Sequence, residues 1–317
     1  MILTDLKQNI FHDYTNLLFI KIEESLGSSH STYGFEFEFL PDRIMDLDQM
    51  EKLHSFLQKE GLIKDESRFI AEKELAITFE PGGQIEYSSP PVIIENIKQF
   101  ENILEQVQHI NSMILKRLNI KYLPTDYIPD RSYAPLCLKG ERYINLHKRL
   151  GSSGTMGREM MKGTASVHLH TGLMSMDEIP LIYKTLSLMA KSRDFGMSQK
   201  RREIWENTDP LRCNMPEIDF DNTDARGILG KIVHHALSAP DLYTNIPAYK
   251  MDNLTFDYFL IHLSTIFTSV RLNMKGPTFE LRTLDSMPVQ KMFEKLKLFI
   301  EILEKKRGNQ RGPIITN

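Results

Sequence analysis

Seven residues, Tyr33 to Phe39 (YGFEFEF), constrain this chain more than any other stretch. Side chains on a strand alternate with period two, so Tyr33, Phe35, Phe37 and Phe39 share one face while Gly34, Glu36 and Glu38 share the other. The aromatics pack; the carboxylates are left together. Held about 7 Å apart on one face, two glutamates repel each other, and any burial adds a desolvation cost. A single E-x-E fits a one-sided antiparallel strand whose polar face meets water. That is the first reading of such a motif standing alone; a strand whose acids share a cation is the other, and other segments must decide.

Hydrophobic residues make up 41% of the 317 positions and charged residues 26%, enough apolar material for a globular core. A formal net charge of -3, with no basic stripe interleaved with aromatics, excludes a general affinity for nucleic acid or anionic lipid. Asp5, Lys7 and Asp13 interrupt the apolar start, so it reads neither as a signal peptide nor as a membrane span. Cys137 and Cys213 lie far apart, giving no disulfide framework and no metal-ligand spacing, as in a reducing cytosol. No internal repeat or long linker forces a boundary, and a single domain over residues 1-317 is expected.

Apolar steps of three and four predict a helix from Ile2 to Leu26 that buries Leu3, Leu6, Ile10, Tyr14, Leu17, Leu18 and Ile22. A second helix is expected from Asp48 to Glu60, stopped by Gly61. Glu74 to Ser89 reads as strand, turn and strand around Pro81-Gly82-Gly83, with Gln84, Glu86 and Ser88 on one face. Pro90-Pro91 then opens a long helix, Val92 to Leu118. Arg142 to Leu150 is helical, and the glycine-rich Gly151 to Gly157 lacks the residues of a specific phosphate loop and reads as a flexible loop. Thr164 to Thr171 alternates, with Ser166, His168 and His170 opposite Ala165, Val167 and Leu169. A helix of about fifteen residues follows Asp177. The acidic loop Asp219 to Asp224 lacks calcium-ligand spacing, and His234 and His235, adjacent on a helix, read as structural. Phe256 to Val270 is expected to be helical, Arg271 to Arg282 a hairpin turning at Lys275-Gly276-Pro277, and Met287 to Lys305 a last helix.

Four strand-like segments thus set polar groups opposite an apolar face: Glu36 with Glu38, Glu80 with Gln84 and Glu86, His168 with His170, and Glu280 with Arg282. Solvated faces explain one or two of these. All four together point to one polar cleft lined by a curved antiparallel sheet or half-barrel, an α+β arrangement flanked by helices. Many carboxylates with few sulfur or nitrogen donors favour a hard divalent cation, magnesium where phosphates complete the shell, over zinc.

TFEPGGQIEYSSPP, from Thr78 to Pro91, resembles the L-E-P-G-G-Q-x-E-L-S-x-x-P signature of the plant and proteobacterial type of glutamate-cysteine ligase. Arg142-Tyr143, Met160 to Val167, Arg201 to Arg212, VRLN and FELR follow in matching order, so the resemblance spans roughly residues 33 to 290. It implies a glutamine-synthetase-like catalytic fold and an ATP-dependent carboxylate-amine ligase that works through an acyl phosphate, with gamma-glutamylcysteine synthesis as the first substrate expectation. By the same resemblance Glu36, Glu38, Glu80, Glu86, His168 and Glu280 would hold two or three magnesium ions. Arg282 and Glu80 would serve the nucleotide, Arg142, Arg201, Gln84 and Trp205 the donor substrate, and Glu38, Glu86 and Arg282 the chemistry. Small-molecule amino-acid and amine substrates and a cytoplasmic enzyme follow, with neither nucleic acid nor membrane expected as a partner and the oligomeric state left open.

Where the plant-type enzymes read Q-V-N-L-D, this chain reads His168-Leu169-His170-Thr171-Gly172, closer to related carboxylate-amine ligases of undefined substrate. The segment from Ala190 to Arg201 is shorter than in those enzymes, and the chain ends earlier. A ligase joining another acid and amine, and a nucleotide-binding homologue without turnover, therefore stand beside the first expectation. Retention of the acidic residues argues against the last, since buried carboxylates without use are destabilising.

Overall fold

The computed structural model describes residues 2–311, and side chains within residues 10–308. Among them, ten strands form one open, curved sheet in the order β2-β3-β4-β5-β1-β8-β10-β9, with β6 and β7 as short additions to β1. The aromatic and acidic stretch is β1 (Thr32–Pro41), the hub of this sheet. It pairs antiparallel with β5 (Ile85–Ser88) on one side and β8 (Ser166–Gly172) on the other. Outward from β5 lie β4 (Ala76–Phe79), β3 (Arg68–Ile70) and β2 (Ile63–Asp65). Outward from β8 lie β10 (Thr278–Asp285) and β9 (Val270–Asn273), while β6 (Val92–Ile93) and β7 (Tyr122–Leu123) pair with the two ends of β1.

Tyr33, Phe35, Phe37 and Phe39 are all buried, which fixes one face of β1 against the core. Helices α1 (Ile2–Ser25), α2 (Leu47–Lys59) and α3 (Gln99–Leu118) come from the first third of the chain. Asp46 and Gln49 form a capping box at the start of α2, satisfying backbone donors that the helix leaves open. Next come α4 (Glu141–Ser153), α5 (Gly157–Gly163), α6 (Glu178–Met189), α7 (Gln199–Glu206) and α8 (Pro210–Cys213). The last three are α9 (Ala225–Ser238), α10 (Phe256–Leu263) and α11 (Val289–Arg311). Phe35 meets Phe100 of α3, Tyr33 meets Phe299 of α11 and Phe279 meets Tyr183 of α6, so these helices cover the apolar face. A second, smaller cluster of Leu146, Leu150 and Met161, joined by Tyr143, Met160 and Phe267, sits apart from the main core.

The expected elements appear with five departures. Val92 and Ile93 pair with Tyr33 and Thr32 instead of starting the long helix, so α3 begins at Gln99. The helix after Thr255 ends at Leu263, because Val270 is taken into the ladder opposite Leu281. α6 is shorter than expected, at 12 residues. Leu17 of α1 is exposed at 42%, while Leu3 and Leu6 lie outside the described side chains. Finally, Gly151 to Gly157 is no flexible loop: Gly151 to Ser153 finish α4 and Gly157 begins α5. A Cβ on Gly154 would lie 2.2 Å from the Asn207 carbonyl oxygen and one on Gly157 2.0 Å from that of Leu150, so these glycines permit close packing of backbone.

Candidate active site

Strand register brings the polar faces together. Glu36 lies opposite His168 across β1 and β8, Glu38 opposite Glu86 across β1 and β5, and Glu280 opposite both His170 and Arg271. The turn from β4 to β5 adds Glu80, its backbone N–H donating to the Gln84 carbonyl while that of Gly83 donates to Glu80. Gly83 adopts φ 84°, a left-handed conformation that glycine takes without strain, and the tight reversal sets Glu80 and Glu86 on the same cleft.

Two cavities open from this cluster, and Glu36 and Lys275 line both. One, of about 610 Å³, has apolar walls from Ile70, Ala76, Pro90 and Pro91 with Arg68 and Lys275 among its lining. The other, of about 370 Å³, is lined by Glu38, Glu80, Glu86, Arg142, Trp205 and Arg282, with Met160, Met161, Leu146 and Phe267 from the smaller apolar cluster.

At the β8-β10 side the acids meet cations. Glu280 receives Arg271 Nε at 2.9 Å and Nη2 at 3.2 Å, Arg282 Nη1 at 2.9 Å and Asn273 Nδ2 at 2.5 Å. Burial raises the Glu280 pKa, but the charges of Arg271 and His170 outweigh it and hold the carboxyl at about 2. Glu36 accepts from His168 Nδ1 at 2.7 Å, and against the effect of burial the two histidines hold it well below the usual carboxylate range. His170 lies 3.8 Å from both Glu36 and Glu280; burial lowers its pKa, yet the two acids carry it above the ordinary value. His168, under burial and the nearby Arg282 charge, moves the other way.

At the β4-β5 side the acids meet one another. Burial, followed by the charges of Glu38 and Glu36, pushes Glu80 up to about 8. Glu86 rises well above its ordinary value for the same reasons, although the Thr78 hydroxyl donates to it at 2.8 Å. Glu38 accepts from the Ser166 backbone N–H at 2.8 Å and lies near the Ser166 hydroxyl at 3.0 Å.

This donor set fits a divalent cation. Glu36, Glu86 and His168 each offer an atom within 4.8 Å of the others, as do Glu36, His170 and Glu280. The Nε2 of His170 is buried without a hydrogen-bond partner, and Glu86 is met by the Thr78 hydroxyl. In each group oxygen donors outnumber imidazole, as a hard divalent cation prefers.

The other expected site residues also reach the cleft, in different states. Arg142, on the first turn of α4, is exposed and directs its guanidinium to Ser264, at 3.3 Å to its hydroxyl. Trp205 lines the smaller cavity, its indole N–H directed to the Cys213 carbonyl at 3.4 Å. Gln84 is 2% exposed and fully engaged: its Oε1 accepts from Gly82 N–H at 2.9 Å and its Nε2 donates to Thr164 O at 3.0 Å. Arg201 is 1% exposed and directs its guanidinium to the backbone of β10. Residues 191–198 form a turn between α6 and α7, pinned where Thr283 donates to the Phe195 carbonyl at 2.6 Å.

Sequence reasoning assigned no part to Arg271, Asn273, Thr78 or Ser166, and left His170 on the polar face without one. Arg271 and Asn273 were within reach: period two along β9 and a tight hairpin place both beside Glu280.

Residues 32–308 match the family model of Glutamate-cysteine ligase family 2 (GCS2). No curated protein matches the chain. Among solved structures, it is similar to a bifunctional glutathione synthetase from Pasteurella multocida, with a TM-score of 0.38 and 13% identity over 92% of this chain and 43% of that one. It is also similar to a novel glutamine synthase homolog, with a TM-score of 0.33 and 11% identity over 92% of this chain and 59% of that one. The chain thus spans about half the length of these structures, and likeness at this level carries no functional argument.

Proposed function

This chain belongs to glutamate-cysteine ligase family 2, and we propose that it is an ATP- and magnesium-dependent ligase joining an amino-acid carboxylate to an amine through an acyl phosphate. One observation carries the reading beyond family membership: two cavities of different character meet at a shared carboxylate, Glu36. The apolar-walled cavity with Arg68 and Lys275 suits a nucleotide, and the cavity with Arg142 and Trp205 suits the acid and the amine. Phosphoryl transfer requires its donor and acceptor to approach from opposite sides of one charged centre.

Glu36, Glu38, Glu80, Glu86 and His168, with His170 added, would hold the metal. Negative charge developing on the transferred phosphoryl group is what bound magnesium neutralises in this chemistry. Arg282, aimed between Glu280 and His168, directs a guanidinium toward the same place. Glu280 already has both oxygens engaged by Arg271, Arg282 and Asn273, so we assign it to orienting those arginines before metal. Arg142, exposed on the second cavity, is a cation available to a substrate carboxylate. No protein nucleophile is required, because the amine attacks the acyl phosphate and phosphate departs.

Glutamate and cysteine are the first substrate reading. A different acid and amine is the second, favoured by Arg201: its donors are engaged by the protein, which leaves the donor's carboxylate to Arg142. Small-molecule substrates and a cytoplasmic setting complete the proposal; no described helix is long and apolar enough to cross a membrane. The test is incubation with ATP, magnesium and amino-acid mixtures, with phosphate release followed and the amide product read by mass spectrometry. Release that no mixture stimulates would sink the ligase reading, and a product lacking glutamate or cysteine would select the second.

A further inference from the structure

The ladder between β8 and β10 shifts register by one residue: Leu281 lies opposite Leu169, but Leu284, not Thr283, lies opposite Val167. Such a bulge leaves backbone carbonyls without ladder partners and re-aims the side chains beside it. Here it falls on Arg282 and Thr283, and Arg282 directs its Nη1 to Glu280 at 2.9 Å and to within 3.3 Å of His168.

The carbonyls at the bulge and next to it are met by one side chain. Arg201 donates from Nη1 to the carbonyls of Thr283 at 3.2 Å and Leu284 at 2.7 Å, and from Nη2 to that of Arg282 at 2.9 Å. Nη1 also reaches the Asp285 carboxylate at 2.8 Å. The anchor itself is fixed, because Ser198 caps α7 by accepting from the Arg201 backbone N–H at 3.2 Å while its own N–H donates to Asp285 at 2.8 Å. A planar guanidinium with several donors in a rigid fork serves three consecutive carbonyls; an ammonium is a single point of charge.

We infer that Arg201 is a positioning residue: by bonding the carbonyls of the β10 bulge it sets the direction of Arg282 in the cleft, and it does not itself touch substrate. The inference rests on the ligase reading only for the nucleotide's terminal phosphates, which would reach Arg282 where the larger cavity meets the smaller one that Arg282 lines. The bulge geometry stands without it.

Two measurements test the inference. Hydrogen-deuterium exchange of the metal-free, nucleotide-free protein is compared between wild type, Arg201→Lys and Arg201→Met. In Arg201→Lys, peptides covering residues 282–286 should exchange about 10-fold faster, the scale expected when a set of charge-assisted bonds to backbone is loosened, with exchange across 166–172 of β8 unchanged. Arg201→Met leaves buried carbonyls unpaired and is read only if it folds; the lysine variant decides otherwise. Unchanged exchange at 282–286 in the lysine variant overturns the inference.

Calorimetric binding of Mg-ATP then separates positioning from bulk stability. Arg201→Lys should weaken Mg-ATP about 10-fold, as expected when a contact is misplaced by a fraction of an ångström. Arg282→Lys should weaken it at least as much, and the double variant should match Arg282→Lys alone, because a residue acting through another adds nothing once that other is changed. Additive losses, or full affinity in Arg201→Lys despite faster exchange, overturn the inference. Failure of the wild type to bind Mg-ATP would count against the ligase reading instead, and exchange would still decide on Arg201.

Discussion

Glu280 and Glu86 both stand on polar strand faces of one cleft, yet their surroundings treat them oppositely. Glu280 has Arg271 across the hairpin, Arg282 two residues on and Asn273 beside it, and its carboxyl is held at about 2. Glu86 is pushed well above the ordinary range by burial and by the charges of Glu36, of Glu80 on the adjoining turn and of Glu38 directly opposite. One side of the cleft is neutralised by the protein itself. The other gathers its acids without a counter-charge, which drives Glu80 and Glu86 toward the protonated form, and a divalent cation would relieve the cost of ionising them. The contrast separates residues that build the site from residues that await a ligand.

Activity gives the largest way to break this contrast. Glu38→Gln should lower turnover by about 10³-fold, the scale of several kcal/mol of lost metal-assisted charge stabilisation, while leaving the metal-free melting temperature unchanged or higher. Retained turnover would remove Glu38 from the metal set. Glu280→Gln should behave in the reverse sense. Breaking a fully buried pair leaves arginine unneutralised and costs about 3–5 kcal/mol, which a urea titration would read as an earlier midpoint. A stable Glu280→Gln variant would show that the β8-β10 side is not held together in this way.

Acidity separates the two sides next. Glu80 has a folded pKa of about 8 against an ordinary 4.5, so its protonated form is the one the fold favours, and stability from it is lost as pH rises from about 4.5 to about 8. Glu280, at about 2 in the fold, contributes stability above 4.5 that is lost as pH falls toward 2. Melting temperature in the presence of a chelator should therefore decline on both sides of a mildly acidic optimum. Added magnesium should recover the alkaline loss and leave the acid loss as it is. A chelated protein that gains stability from pH 5 to 8 would contradict the unpaired state of Glu80.

Gln84 offers the smallest effect. Its amide joins the turn that carries Glu80 to the end of α5, just ahead of the strand that carries His168, and Gln84→Ala should cost about 1–3 kcal/mol for the donors and acceptors left unmet. If Gln84 instead contacts substrate, the variant will raise KM and leave the melting curve where it was.

Much of the scaffold was legible from period two alone. The aromatic side of β1, the reversal at Pro81-Gly82-Gly83, the alternation around His168 and the hairpin at Lys275-Gly276-Pro277 are local patterns, and local sterics enforce them. The misread stretches are those where a distant partner intervened. Val92 reads as helical by spacing but is claimed by Tyr33, and Val270 reads as the end of a helix but is claimed by Leu281. Arg201 shows the same limit at the site: nothing in RREIW tells whether its guanidinium meets a substrate or three carbonyls some 80 positions further on.

By itself, then, the sequence determined which faces are polar, which residue types gather on them, and through EPGGQ and its companion segments the family. Those are consequences of spacing and of local backbone preference. Only the tertiary structure decided which acids receive a cation of the protein's own. That outcome depends on register between β1 and strands more than a hundred residues away, as between Glu36 and His168, and a one-residue slip in register would exchange every partner.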